Sequence, residues 1–249
     1  MGFFVHIMKT GGTSLRWMLL ADVLAPEELF PHKRDGVELE VNDLVLHYIN
    51  PFLIRDQIAA IADPGPVRVI AAHYPYLAHR LYPYPLLTFS LFRDPVDRVV
   101  SHLRHIQRDE HPERSLKELY DDPELFDAFF YNLQARAFVF EDESAKSLMV
   151  RTFDWDDELL ARANENVEQL DVIGLSSEFG AFVCSLEGVF GWRFRETLHS
   201  HRSGGGLERP SRRLRRRIRD DLEYDLLFYE HVVRLYRERG PVRGDVPRG

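Results

Sequence analysis

The chain has 249 residues, 45% hydrophobic and 29% charged, with a net charge of -8 at pH 7. That length supports one large domain with a sizeable core, and the composition is that of a globular protein. The acidic balance argues against general nucleic-acid binding, and no apolar run reaches the ~20 residues of a membrane span.

The N-terminus shows no basic region followed by a long apolar one, so no signal peptide is expected. Met1-Gly2 opens a myristoylation pattern, but His6 stands where that signal needs Ser or Thr. Cys184, in AFVCSLEGVF, is the single cysteine. It excludes an intramolecular disulfide and a multi-cysteine metal site, and it is expected to be a buried thiol in a reducing, cytoplasmic location. Lys9, Lys33, Lys117 and Lys146 are the lysines; arginine supplies the other cations.

In chain order, FFVHIM (3–8) reads as a short buried strand. The glycine turn after it leads into a helix to about Leu24, with Thr13 or Ser14 as its cap. Residues 26–50 read as irregular or a peripheral hairpin. PFLIRDQIAAIAD (51–63) has helical spacing and stops at Pro64-Gly65-Pro66. VRVIAAH (67–73) and LLTFSLFR (86–93) are apolar strands ending in a histidine and an arginine. Asp94-Pro95 then opens a helix through about Gln107, with proline at its favoured first turn. Residues 115–167 read as mostly helical, with breaks near Asp122-Pro123 and Phe153. LDVIGLSS (170–177) is a further buried strand, followed by an amphipathic helix over 178–190. WRFRETLH (192–199) reads as a last short strand, SHRSGGGLERP (200–210) as a loop, and the rest as one or two helices ending near Arg239-Gly240. Near-continuous apolar strands alternating with helices imply a parallel sheet covered on both faces. Ligands of such sheets sit beyond the carboxyl ends of the strands, where the Lys9 turn, His73 and Arg93 fall.

The turn reads HIMKTGGTSL (6–15). Gly11 and Gly12 permit close approach of backbone N–H groups to an anion, Lys9 adds a point charge, and Thr10, Thr13 and Ser14 add hydroxyls. The ATP-binding order GxxxxGK[ST] is absent from the chain. Read alone, the turn is equally an anion cradle or a tight strand–helix turn with an ordinary cap. In FRDPVDRVVSHLRH (92–105), Arg93 at a strand end and Ser101 two turns into the adjoining helix are able to grip one phosphate together. Equally, Arg93 pairs with Asp94 or Asp97 and Ser101 is a surface residue. His73 is either a base at a strand end or a buried histidine tying neighbouring strands.

Taken together, KTGGTS, a strand-end histidine and RDPxxRxxS resemble the sulfotransferases that use 3′-phosphoadenosine 5′-phosphosulfate (PAPS), most of all the heparan sulfate 2-O-sulfotransferase type. The first signature of that family reads roughly PKTGxTS, and Met8 stands here in the proline position. The second matches Arg93-Asp94-Pro95, Arg98 and Ser101. HYPY (73–76) resembles the family's GHxxY segment, with Ala72 replacing glycine. IGLSSEFGAF (173–182) and LLFYEHVVRLY (226–236) resemble its later strand, helix and closing helix. The luminal members carry a membrane anchor and stem that are not found here, so the chain resembles a soluble bacterial relative.

The resemblance implies a three-layer, P-loop-like α/β fold over residues 1–249 as a single domain, with a mainly parallel central sheet flanked by helices. It implies PAPS as donor and PAP as product, with no metal. It places the 5′-phosphosulfate on Lys9, Thr10, Gly11, Gly12, Thr13 and Ser14, and the 3′-phosphate on Arg93 and Ser101. Lys9 would stabilise the leaving phosphate oxygen, and His73 would take the proton of an acceptor hydroxyl on a carbohydrate or glycolipid. Arg202, Ser203 and Gly204 occupy the place of a late cofactor-closing loop. NLQAR resembles an NxQxR segment whose Asn132, Gln134 and Arg136 face the substrate, although helix-surface pairing accounts for them as well. The rival readings are a P-loop kinase or NTPase, which needs a Walker order and a magnesium-binding acid, and a nucleotide-binding member that performs no transfer.

Overall fold

Strands β1 (Gly2–Val5), β3 (Val69–Ala72) and β5 (Val172–Leu175) are buried along their whole length, and β4 (Leu87–Phe92) along all but its first residue. Runs of this kind satisfy a sheet covered on both faces, and the sheet is parallel throughout the strands named. The computed structural model describes residues 1–30, 67–140, 154–195 and 208–246. A short fifth strand, β2 (Leu29–Phe30), pairs with β3, giving the order β2-β3-β1-β4-β5. The chain leaves β1 toward one edge of the sheet and returns across it to build the other. The strand order therefore reverses at β1, which is where open parallel sheets hold their ligands.

Helices α1 (Gly12–Met18), α2 (Pro95–Asp109), α3 (Leu116–Tyr120), α4 (Leu133–Arg136), α5 (Asp157–Glu168), α6 (Phe179–Phe190), α7 (Arg212–Asp221) and α8 (Glu223–Arg239) surround the sheet. On one face, Phe4, Leu15, Phe89, Phe182 and Leu186 join the strands to α1 and α6. On the other, Phe3, Phe92, Leu133, Val167, Phe228 and Val232 join them to α4, α5 and α8. A third cluster packs Val99 and Leu103 of α2 against α3 and α7. The expected three-layer α/β architecture is thus present in the described residues.

Several local expectations are corrected. Thr13 and Ser14 do not cap α1; its cap position is Gly11, at φ 114°, and both hydroxyls lie inside the first turn. After Met18 the helix widens over Leu19–Val23 before ending. β2 lies in the segment expected to be irregular or a peripheral hairpin; it is instead a two-residue strand paired in parallel with β3. Residues 192–195 form no strand, since Trp192 packs among aromatic rings instead. Cys184 is exposed rather than buried: α6 buries Phe182, Val183, Leu186 and Val189, and residue 184 falls on the opposite face. The helix at 51–63 and most of the 26–50 segment lie outside the described residues.

β5 approaches α6 closely at Gly174. A Cβ there would meet Phe182 Cδ2 at 2.3 Å and Leu91 Cδ1 at 2.8 Å. Gly174→Ala is therefore expected to destabilise the fold by about 1–3 kcal/mol, the usual cost of overpacking. Equilibrium denaturation should show a lower midpoint at unchanged slope; an unchanged midpoint would mean that β5 and α6 separate freely.

Candidate anion and active site

The pairing register places three chain exits side by side. Val5 of β1 is level with Ala72 of β3 and with Ser90 of β4. His6 and His73 follow directly and Arg93 comes after two further strand residues, Leu91 and Phe92, so all three leave the same end of the sheet on neighbouring strands.

The first exit is the Lys9 turn. Lys9 itself has φ 67°, a left-handed conformation that is uncommon for a residue with a side chain and that accumulates at functional sites. Gly11, at φ 114°, needs the absence of a Cβ, which would also lie 3.0 Å from Leu91 Cδ2. Gly12 is needed for another reason: a Cβ would stand 2.2 Å from the His6 ring. The Thr10 side chain is buried and its hydroxyl donates to the Ile7 carbonyl at 2.9 Å, so that hydroxyl is committed to the turn. The Ser176 hydroxyl, just past β5, donates to the Thr10 carbonyl. Thr13 is exposed and Ser14 half-buried, so of the three hydroxyls in KTGGTS these two face outward.

The second exit is His73. Its Nδ1 lies 2.6 Å from the His6 carbonyl oxygen, which can only accept. Nδ1 therefore carries the hydrogen, and the lone pair of the neutral ring sits on Nε2, the tautomer a base requires. The His73 ring lies 4.2 Å from the His6 ring, which in turn stacks on Phe4 at 5.1 Å. His73 is partly exposed, whereas His6 is buried.

The third exit is Arg93. Its Nη1 donates to the Lys9 carbonyl at 3.2 Å, joining the two sequence signatures directly. It pairs with neither neighbouring carboxylate: Asp94 caps α2 by accepting from the Asp97 amide at 2.9 Å, and Asp97 forms an ion pair with Arg215 at 2.8 Å. Among the described residues neither Lys9 nor Arg93 is in an ion pair. Burial lowers the Lys9 pKa, and the positive charges of Arg108 and Arg93 lower it further against an opposing pull from Asp109. Burial lowers the Arg93 pKa as well; the nearby Asp97 and Asp94 carboxylates oppose this, and Arg104 adds to the lowering. Two partly buried cations, neither in direct contact with a carboxylate among the described residues, make a site able to accept an anion.

Ser101 lies two turns into α2 and is partly exposed. By helical spacing it shares a face with Arg108, whose charge lowers the Lys9 pKa, and with His105, whose own pKa is lowered by burial and by Lys9. Arg108 carries no mark of the site in the sequence, because nothing in a single helix shows which turn of another segment it faces. The same holds for Arg16 of α1, whose Nη1 donates to the Ala71 carbonyl at 3.1 Å. Arg98, the second arginine of the second signature, is elsewhere: it is fully buried and donates to the carbonyls of Phe129 and Phe130 at 3.0 Å each.

The NLQAR expectation is corrected. Asn132, Gln134 and Arg136 are each no more than 1% exposed and offer no surface to a substrate. Asn132 Oδ1 accepts from the Asp225 amide at 2.9 Å, and Arg136 donates to the carbonyls of Asp127 and Tyr131 at 2.7 and 2.9 Å. Gln134 holds the backbone of Arg93. Arg202, Ser203 and Gly204 lie outside the described residues. A cavity of about 650 Å³ borders the site at Asp94 and is otherwise lined by α7 and α8, through Arg219, Leu226, Tyr229, Val233 and Arg237 among others. Among the described residues no group of His, Cys, Asp and Glu could hold a metal ion, and no helix is long and apolar enough to cross a membrane.

No protein-family model matches the chain. No curated protein matches it. Among solved structures it is similar to the crystal structure of a sulfotransferase from Alicyclobacillus acidocaldarius, at 20% identity over 95% of this chain and 94% of that one, with a TM-score of 0.46.

The electrostatics of the turn give a pH dependence. Lys9 supports an anion only while protonated, and its pKa is lowered from the ordinary 10.5. Anion affinity is therefore expected to fall as pH rises through a range below that value. Lys9→Arg, with a charge that persists, should move the loss to higher pH. Titration calorimetry with PAP across pH tests this; an affinity flat up to pH 10.5 would remove Lys9 from the contact.

Proposed function

We propose that the chain transfers a sulfuryl group from PAPS to the hydroxyl of a small-molecule or carbohydrate acceptor. The observation that carries the reading is the bond from Arg93 to the Lys9 carbonyl, which unites KTGGTS and RDPxxRxxS at the exits of adjacent strands. His73 stands at the third exit as the tautomer able to accept a proton on Nε2. The motifs resemble the PAPS signatures, and the cationic turn supplies the charge that an anionic donor needs.

In this reading the backbone of residues 9–14 and the ammonium of Lys9 hold the 5′-phosphosulfate, while Arg93 and Ser101 hold the 3′-phosphate. The acceptor oxygen attacks sulfur as the bond from sulfur to the bridging phosphate oxygen breaks. Its proton passes to His73 Nε2, and PAP leaves with the electron pair of the broken bond. Positioning and electrostatics dominate such an in-line transfer of a charge-spread group. Lys9 is placed to meet charge growing on the leaving oxygen. The left-handed backbone at Lys9 fits a turn shaped for its ligand in advance.

Thermal denaturation with PAP, ATP and GTP tests the ligand. PAP is expected to stabilise, by about 2.7 kcal/mol at a concentration a hundred times its Kd. Stabilisation by ATP in place of PAP would favour the kinase or NTPase reading.

His73→Ala tests the chemistry. Loss of a positioned base is expected to cut kcat by about 10²-fold or more while PAP affinity is kept. The wild-type rate should fall on acidification as His73 takes a proton, and the variant should lack that limb. Loss of PAP binding and thermal stability together, with the acid limb intact, would make His73 a structural residue.

A further inference from the structure

Arg93 is the first residue beyond β4, where the strand ladder no longer serves its backbone. The last registered pair of β4 is Phe92 with Leu175. Two residues later comes Pro95, which has no N–H to give. Both backbone polar groups of Arg93 nevertheless have partners. Gln134 Oε1 accepts from the Arg93 amide at 3.0 Å, and Gln134 Nε2 donates to the Arg93 carbonyl at 2.8 Å. A carboxamide is the side chain that offers one acceptor and one donor side by side. Gln134 thus takes the part of a neighbouring strand for a single residue.

The segment that carries Gln134 is itself fixed. Asn132 adopts a left-handed conformation at φ 46°, and its side chain accepts from the Asp225 amide at 2.9 Å. The Asp225 carboxylate accepts from the Ala135 amide at 2.8 Å. Asp225 belongs to α8 and is fully buried. A connected path therefore runs from the closing helix through α4 and Gln134 to Arg93, and from the Arg93 guanidinium to the Lys9 carbonyl.

We propose that Gln134 is a positioning residue of the anion site: its buried carboxamide fixes the backbone of Arg93 and thereby aims the guanidinium at the Lys9 turn and the bound 3′-phosphate. Identification of that anion rests on the proposed function; the aiming of Arg93 does not.

The test is a double-mutant cycle with Gln134→Met and Arg93→Ala, measuring PAP affinity by calorimetry. Gln134→Met keeps the volume and removes both polar contacts. It is expected to weaken PAP about ten- to hundredfold, the effect of leaving buried backbone groups without partners. In the Arg93→Ala background the same change should cost little, because residues acting through one another are not additive. Equal losses in both backgrounds, or wild-type affinity in Gln134→Met, would overturn the proposal. Should Gln134→Met not fold, Gln134→Glu keeps the shape and the acceptor, loses the donor, and enters the same cycle with the same expectations.

A ligand-free readout separates this from the proposed function. Lys9 is one of four lysines, so its ionisation is readily followed by NMR of isotopically methylated lysines. Arg93 is one of the charges that depress it, beside Arg108 and against Asp109. Gln134→Met and Arg93→Ala should each raise the Lys9 pKa, and the double variant should raise it no further than Arg93→Ala alone. If the wild type ignores PAP, the proposed function falls. Gln134 is then judged on this titration: a Lys9 pKa unmoved by Gln134→Met would show that Gln134 does not aim Arg93.

Discussion

The level pairing of Val5 with both Ala72 and Ser90 is the constraint from which the site follows. Parallel strands deliver their exits to one side, and the shared register brings His6 and His73 out level while β4 runs on through Phe92 before Arg93. The Ser90 hydroxyl reinforces it by donating to the Val5 carbonyl at 2.9 Å. With that register set, His73 emerges beside His6 and bonds its carbonyl, while Arg93 emerges beside the turn and bonds the Lys9 carbonyl. A slip of one residue in either pairing would turn those side chains to the other face of the sheet. The chemistry of the site is thus a consequence of hydrophobic burial. Phe3, Phe4, Phe89 and Phe92 fix the register because they have nowhere else to pack.

The turn shows how packing and ligand binding divide one motif. Gly11 and Gly12 have structural reasons, a positive φ and the close approach of the His6 ring, and these would hold without any ligand. Thr10 likewise serves the turn. What packing leaves unexplained is Lys9, which takes a left-handed conformation against its steric preference and sits partly buried beside other cations. Both features cost stability in the free protein. An anion bound there would relieve the second, through charge-assisted contacts in a site already partly withdrawn from water.

The parts of the fold legible in the sequence were those with long apolar runs. FFV, VIAA, TFSLF and VIGL read as strands because a sheet covered on both faces leaves no polar alternation, and Asp94-Pro95 read as a helix start because a cap and a first-turn proline act locally. β2 was not legible, since its two residues are ordered by β3 and not by their own pattern. Cys184 was misread because an apolar neighbourhood in sequence says little about which face of a helix a residue occupies. Within the site, Lys9, His73 and Arg93 were legible as strand-end groups. Gln134 was legible through the NxQxR resemblance, but as a group facing the substrate and not as a partner of Arg93. Its partner is the backbone of a residue 41 positions away, and a backbone group leaves no mark in the sequence.

Arg98 extends that last point to the second signature. In RDPxxRxxS the first arginine faces the turn and the second does not. Arg98 is fully buried, its guanidinium bonded to the Phe129 and Phe130 carbonyls just ahead of α4, and burial pulls its pKa down to about 10 even though the Asp225 carboxylate opposes this. A buried guanidinium is costly unless hydrogen-bonded and accompanied by a charge of opposite sign. Here the Phe129 and Phe130 carbonyls accept from both terminal nitrogens and the Asp225 carboxylate adds an opposing charge nearby, while Arg98 Nε stays without a partner among the described residues. The two arginines of the signature therefore act on the same object from opposite ends. Arg98 holds the chain leading into α4, α4 presents Gln134, and Gln134 holds Arg93. Arg93 lies at the strand exit just ahead of α2, and Arg98 lies one turn inside the helix, facing the core. A motif that looks like a row of ligand contacts is, in this fold, partly frame: Arg98 supports the segment that holds Arg93.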